Sequence, residues 1–585
     1  MLLHALADYA DRLDDLPPAL YVEAPLRYII ELDGSGRLLN AEPTDTADPS
    51  SPRTRRGQRR PLPQIQRTVA VKPLLLADNG EYTLGLARPD SKPDRVAACH
   101  AAYLDLVGRC ARETGEPAVA SVQSFLEHDP VVLLQLDDGF DRGASIGFSV
   151  DGRIVTDLPA VQTFWAGIND PDADTEAPAQ RMQCLVCGQE RPVLRRLQAK
   201  IKGVPGGQTS GTALISANAD AFLSYGLEAS LIAPTCAPCG ERFTKALNWL
   251  LASTSNRVIT GGAVFVFWTR QRVDFDFVTY LTDPKPEEIQ ALLESLRRGG
   301  PQTTIDETAF YGVELSGSGG RTVVRDWIDT TVGEAKRHLA DWFERQRVVG
   351  PGGEDPRPLG LYALGGATVR ELRDLPPTTP RSLVRAALTG ASLQLDLLYQ
   401  AVRRSRAEQR VTMQRAALIK LVLRTNAPDG VGDDMVQLSN ENPNPGYRCG
   451  RLLAVLEEVQ RLAIPGISAT IVDRFYGTAS SAPASVFSRL LRGAQPHLAK
   501  LERDRRGAYR ALQSRLEEVL AGIDDFPRTL SLTDQGRFAL GYYHQRASDR
   551  QQAREAAARR KAGAAGGTED LTLDSPDEGE EDSDA

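Results

Sequence analysis

Apolar residues change their spacing along this chain, and the changes divide it. The opening MLLHALADYADRLDDLPP is acidic and amphipathic, which predicts one helix that Pro17 and Pro18 stop. Short apolar runs between turn residues follow: RYIIELDGSGRLL, AVKPLLLADNGEYTLGLA, and later AVFVFWTR and VDFDFVTYL. These read as strands. After Pro376 the strand signal fades, and CGRLLAVLEEVQRLA repeats apolar residues at Leu452, Val455, Leu456 and Val459 with helical spacing. The expected fold is α+β: a mixed α/β N-terminal body with an inserted cysteine-knuckle segment, then an all-α C-terminal helical bundle and a disordered acidic tail. The expected divisions are 1–180 (mixed α/β with a basic arm), 181–250 (knuckles and a glycine-rich loop), 251–375 (the rest of the body), 376–550 (helical bundle) and 551–585 (tail), with LPPTTP at 375–380 as the joint. No internal repeat of useful length is visible.

Length and charge sharpen this picture. A chain of 585 residues is long enough for two to four domains that each bury a core without disulfides. No apolar run reaches the roughly 18–20 residues a membrane helix needs. The start lacks a basic n-region and a cleavage site, so a cytoplasmic protein with no membrane partner is expected. The formal charge is −8, but TEDLTLDSPDEGEEDSDA at the end holds nine acidic residues and no basic ones, leaving +1 for residues 1–567. That tail has the composition of a solvated, disordered segment. The basic residues cluster. Ser51–Lys72 has seven Lys/Arg and no acid, Val402–Arg424 has seven against Glu408, and Arg489–Arg515 has eight against Glu502 and Asp504. One such run ordinarily forms a solvated helix face; three, interleaved with Tyr and Gln, point to a phosphate backbone. Lys72, Arg403, Arg404, Arg415, Arg503 and Arg506 are the expected contacts.

Four cysteines carry the most specific chemistry. CLVCG supplies Cys184 and Cys187, and CAPCG supplies Cys236 and Cys239. Two Cys-x-x-Cys turns, each followed by glycine, can bring four thiolates around one tetrahedral ion, so one structural Zn²⁺ is expected. Four unmetallated buried thiols are the alternative. A catalytic zinc fits poorly, since four thiolates leave no open position for water. Cys99, Cys110 and Cys449 read as small apolar residues.

Between the pairs lies KIKGVPGGQTSGTALISANADAFLSYG. Its glycines resemble phosphate-cradling loops, but the lysines precede the glycines and no Gly-Lys-Ser/Thr ends the run, which argues against a nucleotide hydrolase. Lys200, Lys202, Gln208, Ser210 and Tyr225 instead offer phosphate, edge and stacking contacts to an extended nucleic-acid strand. A flexible hairpin without a partner is the plain alternative. Catalytic patterns are thin: His128-Asp129 is a lone dipeptide and no nucleophile elbow occurs, so no enzyme is expected.

Together with NPGYRCGRLLAVLEEVQ, DRFYGTASSAPASVFSRLLRGAQPHLAKL and FPRTLSLTDQGRFALGYYHQR, the loop resembles the Csd-type large subunit of the type I-C CRISPR surveillance complex, Cascade, from MLLHALADYADRL to about residue 546. The resemblance implies a non-catalytic role: capping the complex at the 5′ handle of the guide RNA, reading the protospacer-adjacent motif on duplex DNA, holding the displaced strand and recruiting a helicase-nuclease. Its partners would be guide RNA, double-stranded target DNA with its displaced single strand, and the backbone, handle-processing and small subunits. The family's loop matches Lys200, Lys202, Gly203, Gln208, Ser210 and Gly211, and a family Phe-Asn pair stands here as Ala217-Asn218, leaving Asn218 as the match. Asn79, in an Asp-Asn-Gly turn expected to join two strands, is the expected motif reader, with Lys72 as its phosphate support. The resemblance also implies a small subunit translated internally from the helical region, 376–550. Met413 is the favoured start over Met435, with Arg415, Lys420, Arg424 and the Arg489–Arg515 run as its basic face. A metal-dependent nuclease and a stand-alone zinc-containing DNA-binding regulator are the rival readings.

Overall fold

The computed structural model describes residues 2–13, 16–48, 50, 56–65, 67, 70–137, 139–169, 180–197, 199–217, 219–297, 306–426 and 435–566. The acidic tail from Thr568 and the expected contact Asn218 lie outside them. The chain forms two compact units, Met1–Ser253 with Ser316–Val323, and Thr254–Leu315 with Val324–Ala585.

The first unit begins with α1 (Leu2–Ala10), β1 (Tyr21–Leu26), β2 (Tyr28–Leu32), β3 (Thr44–Asp45), β4 (Gln58–Pro63) and β5 (Ala77–Asp78). The helices α2 (Gly80–Thr83), α3 (Pro93–Thr114), α4 (Pro117–Glu127) and α5 (Pro130–Leu133) follow, then β6 (Ile146–Val150), β7 (Arg153–Ile154) and α6 (Pro159–Ile168). The unit continues through β8 (Arg181–Gln183), β9 (Glu190–Pro192) and α7 (Ala237–Ala252). Its main sheet runs β3-β2-β6-β5, with β2 parallel to β6 and β7 paired to β6. All five residues of β6 are buried, as a central strand covered on both faces requires. Ile30, Leu32, Phe148 and Val150 share one core with Tyr103, Val107, Val119, Val122 and Phe125 of α3 and α4. Part of the basic arm becomes β4, antiparallel to β1, where Arg60 pairs with Asp157 at 2.7 Å.

The second unit contains β10 (Arg257–Thr260), β11 (Ala263–Thr269), α8 (Phe277–Thr282), α9 (Pro286–Arg297), β12 (Ala309–Ser318), β13 (Arg321–Thr331) and α10 (Val332–Gln346). From there it is helical: α11 (Leu361–Gly366), α12 (Thr378–Thr389), α13 (Leu395–Glu408), α14 (Met413–Asn426), α15 (Pro445–Ala463), α16 (Ile471–Ala479), α17 (Phe487–Asp504), α18 (Arg506–Leu520) and α19 (Leu532–Gly566). The sheet order is β10-β11-β12-β13. Phe265, Phe267, Phe310 and Ile328 join one apolar core that continues to Ala547. The joint expected at 375–380 therefore falls inside a unit, because the sheet's apolar face is covered by the helices that follow it. Among the described residues no helix is long and apolar enough to cross a membrane.

Two strand expectations are corrected. VDFDFVTYL turns into α8 because the Asp276 carboxylate accepts hydrogen bonds from Val278 N and Thr279 N, which caps a helix, and Phe277 and Leu281 then bury one turn apart. AVKPLLLADNGEYTLGLA keeps only β5 as a strand. Asn79 is not a strand-joining turn: its Oδ1 accepts from Glu81 N at 3.0 Å and Tyr82 N at 3.4 Å as the N-cap of α2.

The family-like motifs of the helical region meet where α15 and α19 cross. A Cβ at Gly450 would fall 2.0 Å from Phe538 O, and one at Gly541 2.0 Å from Tyr447 O, so both helices need glycine to approach this closely. Around the crossing, Arg451 donates to Gln545 and Glu518, Tyr542 OH donates to Glu457 at 2.7 Å, and Tyr447 OH meets His544 Nδ1 at 3.1 Å. Burial, then the Lys420 charge, depress the His544 pKa to about 3, so it is neutral inside this network.

Candidate metal centre and nucleic-acid interface

The first cysteine pair follows β8, at a tight turn that returns the chain into β9. Cys184 N donates to Gln189 O at 2.9 Å, Gly188 N to Cys184 O at 2.9 Å, and Gly188 takes φ +72°, the conformation a glycine after a knuckle provides. The second pair opens α7: Cys236 is its N-cap residue and Gly240 N donates to Cys236 O. Main-chain bonds from Leu185 N to Pro234 O and Leu194 N to Thr235 O join the two turns. All four sulfurs lie within 4.8 Å of one another, with Cys187 Sγ and Cys236 Sγ 4.0 Å apart. A tetrahedron of thiolates around zinc, with Zn–S of about 2.3 Å, has edges of about 3.8 Å. The four cysteines thus have the spacing of a tetrahedral metal site. Cys184, Cys236 and Cys239 are buried and Cys187 is exposed. Burial pushes the Cys184 thiol up, but N–H groups of Cys187, Cys236 and Val186 outweigh it and bring its pKa to about 7; burial raises Cys236 and Cys239.

Helix α7 carries the order of this centre to the glycine-rich loop. Asn248, about 18 Å along the helix from Cys236, accepts from Lys202 N at 2.8 Å and donates to Lys200 O at 2.9 Å. Helix α7 is itself fixed against the start of the chain. Lys245 Nζ donates to Pro17 O and Pro18 O, Arg242 bonds Ala7 O and Asp11, and Tyr9 lies 5.9 Å from Trp249.

The loop is a closed structure. Ile201 and Thr212 exchange both backbone hydrogen bonds at 2.8 Å. Its far side receives the β12–β13 turn: Gly317 N donates to Pro205 O at 2.7 Å, Ala213 N to Gly320 O at 2.8 Å, and the hydroxyls of Thr212 and Thr322 meet at 2.5 Å. A Cβ at Gly317 would lie 2.0 Å from Gly207 N. Here the glycines let two backbones touch, and they are not arranged as a phosphate cradle. The polar side chains of Lys200, Lys202, Gln208, Thr209 and Ser210 are exposed, with that of Gln208 lying near Gly320 of the β12–β13 turn. Partial desolvation, then the neighbouring Arg59 charge, lower the Lys202 pKa. Tyr225 is 98% exposed at φ +53°, beside the exposed Phe222, whose ring carries the Arg321 guanidinium 4.2 Å from its centroid.

Residues 6–549 match the profile of the family described as CRISPR-associated protein (Cas_Csd1). The chain is a member of the Cas_Csd1 family. A search of curated proteins returns no match.

Against the residues expected for this Cas_Csd1 member, the structure sorts the cations by burial. Lys72, Arg403, Arg503 and Arg506 are exposed, Arg503 beside Asp504 at 3.0 Å. Arg404 is paired with Glu408. Arg415 is a correction: it is only 5% exposed, paired with Glu408 and donating to Arg410 O at 3.0 Å, so its guanidinium serves the fold. Lys420 is fully buried and donates to Arg347 O at 2.7 Å. The basic face expected on α14 is therefore absent at these two positions.

The burial argument for Met413 changes as well. Every residue from Arg415 to Leu423 is buried, with α10, α11, α13 and α19 all packed on α14, so a product starting at Met413 would leave α14 uncovered on the sides that α10, α11 and α13 occupy. A product from Met435 keeps α15–α19 together and uncovers the surfaces of α19 and α16 that α13 and α14 cover. Of the histidines, His128 is exposed, with Nδ1 2.6 Å from Ser124 O, while Asp129 takes φ +49°.

Sequence reasoning missed Asn248, Arg321 and Phe222. Gly317, Gly319 and Gly320, between two apolar runs, are the visible signal for the tight turn that meets the loop; Asn248 has no local signal, because only the packed helix brings it there.

Proposed function

We propose that this protein is the non-catalytic large subunit of a type I-C RNA-guided surveillance complex. It reads the protospacer-adjacent motif, contacts the 5′-handle end of the guide, stabilises the R-loop and recruits the helicase-nuclease. Family membership over residues 6–549 is the observation that supports this reading. In such complexes guide pairing supplies sequence specificity, which leaves the protein to make a short duplex read and wide backbone contact. The exposed Lys200, Lys202, Gln208 and Ser210, on a loop held by Asn248 and the β12–β13 turn, suit that contact; the exposed Tyr225 suits stacking on a base. Asn79 uses its Oδ1 as a cap, so reading by Asn79 would fall to its amide nitrogen, with Lys72 exposed nearby in sequence. The four cysteines hold one structural Zn²⁺, whose contribution is to fix the knuckle to α7. A small subunit comprising α15–α19 would present the exposed Arg489, Arg492, Lys500, Arg503 and Arg506 to the displaced strand.

Co-purification from the native operon tests the reading. RNA of uniform length and several partner subunits should accompany the protein, and the assembly should bind target duplex only with a matching guide. Guide-independent sequence-specific duplex binding would favour the stand-alone regulator. Metal-dependent cleavage of labelled nucleic acid lost in His128→Ala would favour the nuclease.

A further inference from the structure

Within the second unit, a cavity of about 440 Å³ opens between the 350–357 loop, the turn joining α13 to α14, and the face of α19 around Tyr542–Arg550. Its wall carries four arginines, Arg357, Arg410, Arg546 and Arg550, against Glu354 and Asp355. The balance is more basic than this count, because Glu354 is already engaged. It accepts from Gly352 N at 2.8 Å and pairs with Arg554, and these contacts, the backbone N–H first, draw its pKa down to about 2. Arg546 is satisfied by Glu458 at 2.5 Å. Among the described residues Arg550 donates only to Pro351 O, at 3.2 Å, and Arg357 and Arg410 make no ion pair.

Three arginines whose charges are not engaged by a carboxylate among the described residues line one concave wall with Asp355, and planar guanidinium forks suit phosphate oxygens. The wall also includes Val411 and Thr412, just before the 14-residue helix α14, and Met413 and Gln414 of its first turn, whose N–H groups add positive potential. The rest is apolar or aromatic: Val411, Met413, Tyr542 and Tyr543, whose hydroxyls are turned to Glu457 and Val349 O. A charged end and an apolar flank, in a volume within the roughly 300–1,000 Å³ of small-molecule sites, match one nucleotide and not an extended strand.

We propose that this cavity binds the phosphate end of a nucleotide, either free or as the 5′-terminus of a nucleic-acid strand. The proposal does not rest on the large-subunit reading, and it concerns residues separate from the glycine-rich loop and the α17–α18 surface.

The test uses the purified full-length chain, freed of nucleic acid, with calorimetric titration of ADP, of inorganic pyrophosphate, and of one short oligonucleotide carrying either a 5′-phosphate or a 5′-hydroxyl. Saturable binding of ADP or pyrophosphate identifies a free nucleotide as the source; a preference of the oligonucleotide for its 5′-phosphate form identifies a strand end. In either case Arg357→Ala with Arg410→Ala should weaken binding by about tenfold or more, since each removes a charge-assisted hydrogen bond. Arg337→Ala, an exposed arginine of α10 outside the cavity wall, should not change it. Arg410→Ala alone gives the same readout should the double variant melt early. No binding of any of the phosphate-bearing probes, or affinity unchanged in folded Arg410→Ala protein, overturns the proposal.

Discussion

Replacing Asn248 with Ala isolates the link between α7 and the lysine-bearing loop. The substitution removes two hydrogen bonds, from Lys202 N at 2.8 Å and to Lys200 O at 2.9 Å, and leaves the cysteines untouched. A neutral hydrogen bond contributes about 0.5–1.5 kcal/mol net, so the loop should lose about 1–3 kcal/mol of local stability. That raises its open population by about 5- to 150-fold. Amide hydrogen exchange reads this directly, because Ile201 N and Thr212 N bond each other's carbonyls at 2.8 Å and exchange only when the loop opens. Both amides should accelerate by that factor in the variant, while Val107 and Cys110 in the α3 core exchange as before. Unchanged rates at Ile201 and Thr212 in folded variant would refute the link. Equal acceleration at Val107 would show instead that Asn248 supports the whole unit.

Metal analysis should find one zinc per chain, and Cys236→Ala with Cys239→Ala should lose it together with several kcal/mol of stability in the first unit, as for structural zinc generally; a stable metal-free chain of unchanged melting would reject the site. Lys200→Ala with Lys202→Ala should flatten the log–log salt dependence of duplex binding by about 1.8, or about 1.4 on a single strand, and an unchanged slope would mean that neither lysine touches phosphate. The buried His544, with pKa about 3 folded against about 6.5 unfolded, contributes stability that is complete above pH 6.5 and is lost as pH falls toward 3. Urea titrations between pH 6 and 4 should show stability falling by about 1.4 kcal/mol per pH unit more steeply than in His544→Gln, and parallel profiles would contradict a neutral buried histidine. Mass spectrometry of the native complex should reveal a shorter product beginning near Met435, not Met413; one beginning at Met413 would mean that α14 finds new cover in the assembly.

Much of the metal site was legible in the chain, because a Cys-x-x-Cys-Gly turn is local: five residues determine its geometry, and the structure brings Cys184, Cys187, Cys236 and Cys239 together as their spacing requires. The helical character after residue 376 was legible for a similar reason, its period being written in residues such as Leu452, Val455 and Val459. Asn79 shows where local reading fails. Asp-Asn-Gly fits a hairpin turn and a helix cap equally well, and the choice fell to Glu81 N and Tyr82 N, which reach its side chain only because the chain continues as α2. VDFDFVTYL failed in the same way at Asp276, where alternating apolar residues match a strand until one carboxylate caps a turn.

Charge was the least transferable signal, and the contrast between Arg415 and Lys200 shows why. Both are cations read from the sequence as nucleic-acid contacts, but Arg415 lies on a helix packed by four others, and its charge survives there because Glu408 and main-chain carbonyls neutralise it. Lys200 keeps its ammonium in solvent while only its backbone is held, through Asn248. Two opposite uses of a cation thus led to the same reading, and only the packing of the neighbouring elements separates them. The glycines follow the same logic. Gly207 reads as a phosphate contact from its lysine-led setting, yet it is occupied by the backbone of Gly317, more than a hundred residues away. A loop whose backbone is used up in this way can offer a ligand only its side chains. Substitutions at Lys200, Lys202, Gln208 and Ser210 should therefore bear on binding, while a side chain at Gly207 or Gly317 should unseat the loop itself.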